Sequence, residues 1–264
     1  MKRRFASLIF LTLMFASELE ADHIGFDIVV QHENPLTQAE RLAFESAEAT
    51  WESIILGYQE SPPIESLIIS SRIVEGDGPG GVLGSARPTQ LTAESPFADF
   101  LYARAGEMSF DSSDTATLAA AGVLDDLILH EMGHVIGLGT LWSGSAIGIP
   151  GFQELYTSGS GQYTGTQALA AYRREFDPNA TYVPVELDGG PGTANSHWNE
   201  EDLGDEVMTG FIHGEVFVSG VTIGGLEDLG YLVTPEPSSL AQLAGLALTL
   251  FAVRHRRRTT ATLR

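Results

Sequence analysis

The sequence predicts an α+β fold: a mixed, twisted sheet with a central helix, followed by a loop-rich C-terminal subdomain. Three observations support this class. The first half alternates strand-like and amphipathic segments, an apolar run then leads into two histidines four residues apart, and the chain turns Gly- and Ser-rich from Ser143 to Gly165. With 264 residues, 43% of them hydrophobic, the chain can bury one substantial core or two small ones.

The opening segments predict a strand, a helix and a second strand. Ile24–Val30 alternates between apolar and polar residues, as a half-buried strand does. Thr37 stands where a helix cap is expected, before an amphipathic stretch from Ala39 to Leu56. We expect one face of this helix to carry the apolar residues Leu42, Ala43, Ala49, Trp51, Ile54 and Ile55. Ile64–Val74 returns to a strand pattern, and Gly76–Gly84 predicts a loop.

Two further strands and a short helix complete the first half. Val82–Arg87 predicts a short strand at a sheet edge, and Glu107–Asp111 predicts the next strand. Ser112 to Thr115 are suited to cap an alanine-rich helix that Gly122 interrupts. The apolar run Val123–Leu129 then leads without a break into the histidine pair, so we interpret both as one helix.

The histidine pair forms an H-E-x-x-H motif, which is typical of zinc sites. His130 and His134 are four residues apart, so a helix places both imidazoles on one face with Glu131 beside them. A catalytic zinc takes three protein ligands and leaves one position for water. Glu131 is placed to accept a proton from that water, as a general base does. The flanking residues are apolar, which disfavours two solvated surface histidines.

The third metal ligand has to come from elsewhere in the chain. Gly137 and Gly139 are suited to end the helix through a left-handed turn. H-E-x-x-H-x-x-G is the start of a signature in which a third His stands three residues after the Gly, but Thr140 occupies that place. The residues alone leave four candidates for this ligand: His197, His213, His23 and His32.

The second half supplies a candidate for this ligand. The pattern predicts a helix from Thr166 to Phe176, and we interpret its aromatic residues and Tyr163 as packing residues. Asp188–Gly192 then leads to His197, which lies 63 residues beyond His134, and an Asp-Glu-Val-Met sequence ending at Met208 follows.

These motifs together resemble the leishmanolysin-type metzincins, most closely their shorter bacterial relatives. In that family an inserted segment separates the third His from the helix motif, and an Asp-Glu-x-Met element follows it. The resemblance is strongest from Asp125 to Met208 and extends to Tyr231. It implies one catalytic Zn²⁺, hydrolysis of peptide bonds in protein or peptide substrates, and His130, His134 and His197 as ligands. It further implies Glu131 as general base and Met208 as the Met-turn residue. The edge strand at 82–87 is then a candidate for aligning substrate.

Both ends of the chain predict export. Residues 1–21 combine a basic start, an apolar centre and small residues, as signal peptides do. Residues 235–264 resemble a PEP-CTERM sorting signal: Pro-Glu-Pro, an apolar run and an arginine cluster. We expect this tail to enter the membrane transiently and to be processed by a sortase-like enzyme; an ordinary tail anchor is the alternative. The catalytic domain would be residues 22–234, divided near residues 139 and 140, outside the cytoplasm or at the cell surface.

Composition limits the remaining function classes. Between residues 22 and 234 the chain has six arginines, no lysine and 32 acids, a formal charge of −26, which disfavours nucleic acid as a partner. Cysteine is absent, which excludes disulfides and thiolate ligands. Two alternatives stay open: an exported matrix or surface protein with a structural metal site, and a calcium-dependent binding module. The second is suggested by Asp111, Asp114, Asp125 and Asp126, although no regular calcium loop is present.

Overall fold

The computed structural model describes residues 25–92, 99–212 and 214–235. Predictions for the signal peptide and for residues 236–264 lie outside this part of the chain. In chain order the elements are β1 Ile28–His32, α1 Gln38–Ile54, β2 Ile55–Tyr58, β3 Leu67–Val74, β4 Gly84–Leu91, β5 Ala103–Asp111, α2 Ser112–Ala121, α3 Leu124–Ile136, β6 Gln162–Tyr163, α4 Thr166–Glu175, β7 Val183–Pro184, α5 Glu200–Leu203, α6 Gly220–Asp228 and β8 Tyr231–Val233, with one 3-10 turn at Ser145–Ile147.

A mixed four-stranded sheet forms the first half, in the order β1-β3-β5-β4. β1, β3 and β5 run parallel, and β4 pairs antiparallel with β5 at the edge. The helix α3 packs across β4 and β5, and α1 packs on α3. The mixed sheet, the central helix and the edge position of the fourth strand are therefore confirmed. The edge strand begins at Gly84 and extends to Leu91, farther than the sequence predicts.

Helix α1 begins as predicted but buries a different face. Thr37 and Glu40 form a capping box that fixes its first turn. The buried residues are Ala43, Phe44, Ala47 and Trp51. The prediction that Leu42 and Ala49 share this face is wrong: both are exposed, and 55% of the Leu42 surface is accessible. The periodic pattern admitted two overlapping faces, and the position of α3 selects the one with Trp51, whose Nε1 donates to the Leu129 carbonyl at 3.0 Å.

The helix also ends earlier than its apolar pattern suggests. Ile55 and Leu56 belong to β2, which pairs antiparallel with β8 near the end of the described chain. Ile55 lies opposite Val233, so a partner 178 positions away decides its conformation. Local periodicity carries no information about such a pairing.

The cap of α2 is Asp111 rather than the serines that follow it. The Asp111 carboxylate accepts the Ser113 N–H at 2.7 Å, and the helix ends at Gly122 with φ 78°. Val123 to Ile136 then continue into α3, as the apolar run predicts.

The second half packs around an aromatic group formed by Trp142, Tyr156, Tyr163 and Trp198. Trp142 stacks on Trp198 with ring centroids 4.6 Å apart, and the Tyr163 ring meets both edge-on. The packing role predicted for Tyr163 is confirmed, because this side chain is fully buried. One apolar core runs through the described residues from Phe26 to Tyr231. No helix within the described ranges is long and apolar enough to cross a membrane.

Candidate metal centre

Helix α3 holds the first two histidines in the interior of the protein. Every residue from Leu127 to Leu138 is buried, so the imidazoles of His130 and His134 leave the helix into a protected space. The two residues are one helical turn apart and therefore face the same side. The apolar run that precedes them anchors the helix in the core, which fixes the direction in which both rings point.

Two glycines turn the chain away from the end of this helix. Gly137 has φ 132° and Gly139 has φ 76°, values that side-chain-bearing residues rarely adopt. A Cβ on Gly139 would also overlap the carbonyl oxygen of Ser196. The turn thus packs directly on the loop that carries His197. Thr140, which replaces the histidine expected there, donates its hydroxyl to the His134 carbonyl at 2.6 Å and closes the helix end.

The loop that carries His197 is fixed by backbone and side-chain hydrogen bonds. The Glu186 N–H donates to the His197 carbonyl at 2.9 Å, and the Asn195 N–H donates to the Glu186 carbonyl at 2.7 Å. Asn195 has φ 73°, and its Oδ1 accepts from the Tyr156 hydroxyl at 2.7 Å and the Gly159 N–H at 2.6 Å. These contacts tie the loop to Glu186, two residues after β7, and to the segment that contains Tyr156 and Gly159.

The three histidines converge on one point. Their Nε2 atoms lie 3.0–3.1 Å from one another. Each Nδ1 contacts a backbone carbonyl on the far side of its ring: Val207 at 2.6 Å for His130, Leu138 at 2.8 Å for His134, and Thr193 at 2.8 Å for His197. Within the described residues, this is the group whose side chains are placed to hold a metal ion.

The hydrogen bonds fix the tautomer of each ring. A carbonyl oxygen only accepts, so each Nδ1 carries the proton and each Nε2 presents a lone pair to the other two. Burial, reinforced by a neighbouring histidine, lowers the pKa of all three rings to about 3, which keeps them neutral. Three lone pairs facing one another repel unless a cation lies among them. Because the Nε2 atoms are this close, a single point can lie ~2.0–2.1 Å from all three, the length of a zinc–imidazole bond. The three nitrogens therefore fit a zinc ion.

Glu131 lies beside this group, against the edge strand. Its side chain is 5% exposed, and burial raises its pKa to about 8. The carboxylate occupies space that the missing side chain of Gly84 leaves free, since a Cβ there would come 2.8 Å from Oε1. The edge strand and the Glu131 side chain are thus in direct contact, and a side chain at position 84 would displace the carboxylate.

Met208 packs on the opposite side of α3, against its glycine. A Cβ on Gly133 would come 2.6 Å from the Met208 sulfur and 3.2 Å from the Trp51 ring. The Met208 carbonyl accepts the Trp198 N–H at 2.9 Å, one residue after the third histidine. The methionine therefore lies against the helical turn between His130 and His134 and is bonded to the segment that carries His197.

Of the other candidate ligands, only His32 lies in the described part of the chain, and it does not join the group. His32 bonds through Nδ1 to the Ser71 hydroxyl at 2.7 Å and packs edge-on against Phe44. His23 and His213 lie outside the described residues. Asp111 and Asp114, considered above for calcium, accept backbone N–H groups of Gly78 and Gly80 instead. In the described part of the chain, no acidic cluster has the spacing of a metal site.

Several residues that shape the site carry no motif of their own. Gly84 and the carbonyl acceptors of His134 and His197 are identified only by their neighbours in space. The Asp-Glu-x-Met spacing was the one sequence signal that included Glu206. A fold is needed to show what its side chain contacts.

Comparison of the amino-acid sequence with protein families and known proteins gives matches, and the family match includes the H-E-x-x-H motif and the segment around His197. The sequence profile of the leishmanolysin family, peptidase M8, matches residues 101–235, which include the three histidines, Glu131 and Met208. A leishmanolysin homolog of Crithidia fasciculata is 30% identical over 114 residues, which cover 40% of this chain. The match covers 17% of the length of that relative. The chain belongs to the leishmanolysin family, peptidase M8.

Proposed function

We propose that this protein is a zinc metalloendopeptidase in which His130, His134 and His197 bind one catalytic Zn²⁺. The observation that carries the proposal is the convergence of three neutral Nε2 atoms, 3.0–3.1 Å apart, with a buried carboxylate next to the first of them. Membership in a peptidase family supports it independently. A purely structural site would not require a carboxylate at Glu131.

Glu131 serves in this proposal as the general base. Bound zinc supplies Lewis acidity for the scissile carbonyl and lowers the pKa of a coordinated water towards neutrality. In the ionised form that a nearby cation favours, the Glu131 carboxylate would accept the proton of the attacking water and deliver it to the leaving amine. No covalent enzyme intermediate is required. Met208 supports the floor of the site by packing on Gly133.

The outer edge of β4, with which no other described strand pairs, is the proposed surface for substrate alignment. Asp111 donates its N–H to the Leu83 carbonyl, and Gly84 lies opposite Phe110. Leu83 and Asp111 thus form a hydrogen-bonded pair, and such pairs alternate with non-hydrogen-bonded pairs along an antiparallel ladder. Gly84 and Ala86 therefore direct their N–H and C=O groups away from β5. An extended peptide pairing with these groups would pass beside Glu131.

We further propose that the protein is exported and is of the shorter bacterial type. A signal peptide at 1–21 and a PEP-CTERM-like tail at 235–264 would bring residues 22–234 to the cell surface or beyond, with the tail processed at the membrane. The 32 acids in that span favour cationic over anionic partners. Detection of the protein in the culture medium or at the cell surface, and loss of export on deleting residues 1–21, would test this.

Casein cleavage and zinc content measured on the same purified protein test the activity. Glu131→Gln should retain zinc and lose at least about 1,000-fold in kcat, because water activation is removed while the ligands stay. His197→Ala should lose both zinc and activity, whereas His32→Ala, a histidine outside the group, should keep both.

Two results would contradict the proposal. Full turnover by zinc-loaded Glu131→Gln would exclude Glu131 as the base. A parent protein that binds zinc tightly, cleaves no member of a peptide library and is unaffected by Glu131→Gln would favour the exported binding protein with a structural metal site.

A further inference from the structure

Glu206 is the most deeply buried charged side chain in the described part of the protein. It has no accessible surface, yet it lies two residues before Met208 on the segment that borders the three histidines. Burying a carboxylate is costly unless donors surround it. The arrangement of those donors indicates what the side chain does.

Hydrogen bonds from two segments meet on this carboxylate. Oε2 accepts the Met208 N–H at 2.6 Å. Oε1 accepts both the N–H of Ser219, at 3.1 Å, and its hydroxyl, at 2.9 Å. Burial raises the pKa of this carboxylate overall, whereas the Thr222 side chain favours its charged form and so lowers the pKa. The carboxylate therefore joins the Met208 turn to the beginning of α6, where Ser219 is the N-cap.

The partners of Glu206 lead directly to two of the three histidines. Val207, between Glu206 and Met208, is the residue whose carbonyl accepts from His130 Nδ1 at 2.6 Å. Trp198, which follows His197, donates its indole N–H to the Thr222 hydroxyl at 2.9 Å and its backbone N–H to the Met208 carbonyl at 2.9 Å. Thr222 thus links the indole of Trp198 to the carboxylate.

We propose that Glu206 is a positioning residue that sets the orientation of His130 and His197 in the metal centre. It holds the backbone that accepts from the His130 ring, and through Thr222 it holds the residue next to His197. The inference rests on the proposed metal centre and deepens it. Groups that orient metal-bound histidines in this way typically change metal affinity by about 10–100-fold when they are altered.

Glu206→Gln in the full-length protein is the direct test. Glutamine has nearly the same shape, but its NH₂ group must face either the Met208 or the Ser219 N–H, so one pair becomes donor against donor. We expect Co²⁺ affinity, measured by chelator competition, to fall about 10–100-fold. We also expect the visible absorption spectrum of bound Co²⁺ to change, because it reports the geometry of the ligands.

Asp228→Asn is the matched control. Asp228 is also a partly buried carboxylate. It accepts the N–H groups of Gln167 and Ala168 at 3.0 Å, at the start of α4, and the Tyr163 hydroxyl at 3.4 Å. None of these three partners lies on a segment that carries a histidine of the group. Asp228→Asn should lower the unfolding temperature while leaving Co²⁺ affinity and spectrum as in the parent. This comparison separates a loss of stability from a loss of ligand orientation.

If Glu206→Gln does not fold, the milder variant Thr222→Val tests the same positioning role. Thr222→Val keeps the size of the side chain and removes the link between Trp198 and Glu206, so it should shift the Co²⁺ spectrum in the same direction by a smaller amount. Parent-like affinity and spectrum in the folded Glu206 variant, or in Thr222→Val, would overturn the inference, as would a parent that binds no Co²⁺. A parent that binds Co²⁺ with these variant effects but cleaves no peptide would leave the inference standing and reject the peptidase proposal.

Discussion

Replacing Gly84 by alanine is expected to disturb Glu131 far more than it disturbs the fold. The new Cβ would lie 2.8 Å from Glu131 Oε1 and 3.1 Å from its Cδ and Cγ. Comfortable contacts begin near ~3.5 Å, so the carboxylate has to move by about 0.5–1 Å. The helix backbone is held in the core, and the displacement therefore falls on the side chain of Glu131.

The expected loss is larger in catalysis than in stability. A misplacement of about 1 Å in a reacting group costs about 100-fold in rate, which corresponds to about 2.7 kcal/mol of transition-state free energy. Overpacking lowers stability by about 1–3 kcal/mol. Alanine also has less conformational freedom than glycine in the unfolded chain, which stabilises the fold by about 0.4–1 kcal/mol. The side chain that has to yield ends in a rotatable carboxylate, so we expect the lower part of the overpacking range.

The assay is kcat/KM on a fluorogenic peptide, with zinc content and unfolding free energy measured on the same preparations. Gly84→Ala should keep its zinc and lose about 100-fold in kcat/KM. Gly25→Ala is the control, because a Cβ there meets nothing within 4 Å. Parent-like activity of folded, zinc-loaded Gly84→Ala would refute the argument that this strand fixes the position of Glu131.

Two further predictions concern stability. Gly139→Ala should lower the free energy of unfolding in urea by at least about 2 kcal/mol, because it adds an overlap with the Ser196 carbonyl to the ~1 kcal/mol strain of a left-handed residue. In the control Gly148→Ala, with φ 81° and no neighbour within 4 Å, only the strain should be lost. Equal losses in the two variants would contradict this reasoning. Burial, followed by repulsion from Glu52, Glu45 and Asp27, raises the pKa of Glu48 to about 7. Because its pKa is raised in the fold, its contribution to stability is complete below about pH 4.5 and is lost as the pH rises through about 7. Glu48→Gln should therefore gain about 1 kcal/mol over the parent at alkaline relative to acidic pH, after discounting for solvent screening, whereas the exposed control Glu65→Gln should not; a pH-independent difference for Glu48→Gln would count against the shift.

The features that the sequence predicts well are local. The H-E-x-x-H spacing, the glycines after it and the capping box at Thr37 each depend on residues within one or two helical turns, so helix geometry alone places them. The Asp-Glu-x-Met element is equally short-range, and its likeness to the family led to His197 among the four candidates.

The features that only the tertiary structure decides are those set by distant partners. Ile55 forms a strand because Val233 lies opposite it, and α1 buries Phe44 rather than Leu42 because α3 covers that side. The Val207 carbonyl that orients the His130 imidazole, and the space that Gly84 leaves for Glu131, are likewise contacts between segments far apart in the chain. A motif fixes which side chains a short segment presents, whereas the packing of several segments fixes what each side chain meets. The sequence by itself thus determined which residues could bind a metal ion and the helix that carries two of them, and the fold determined how their side chains are held.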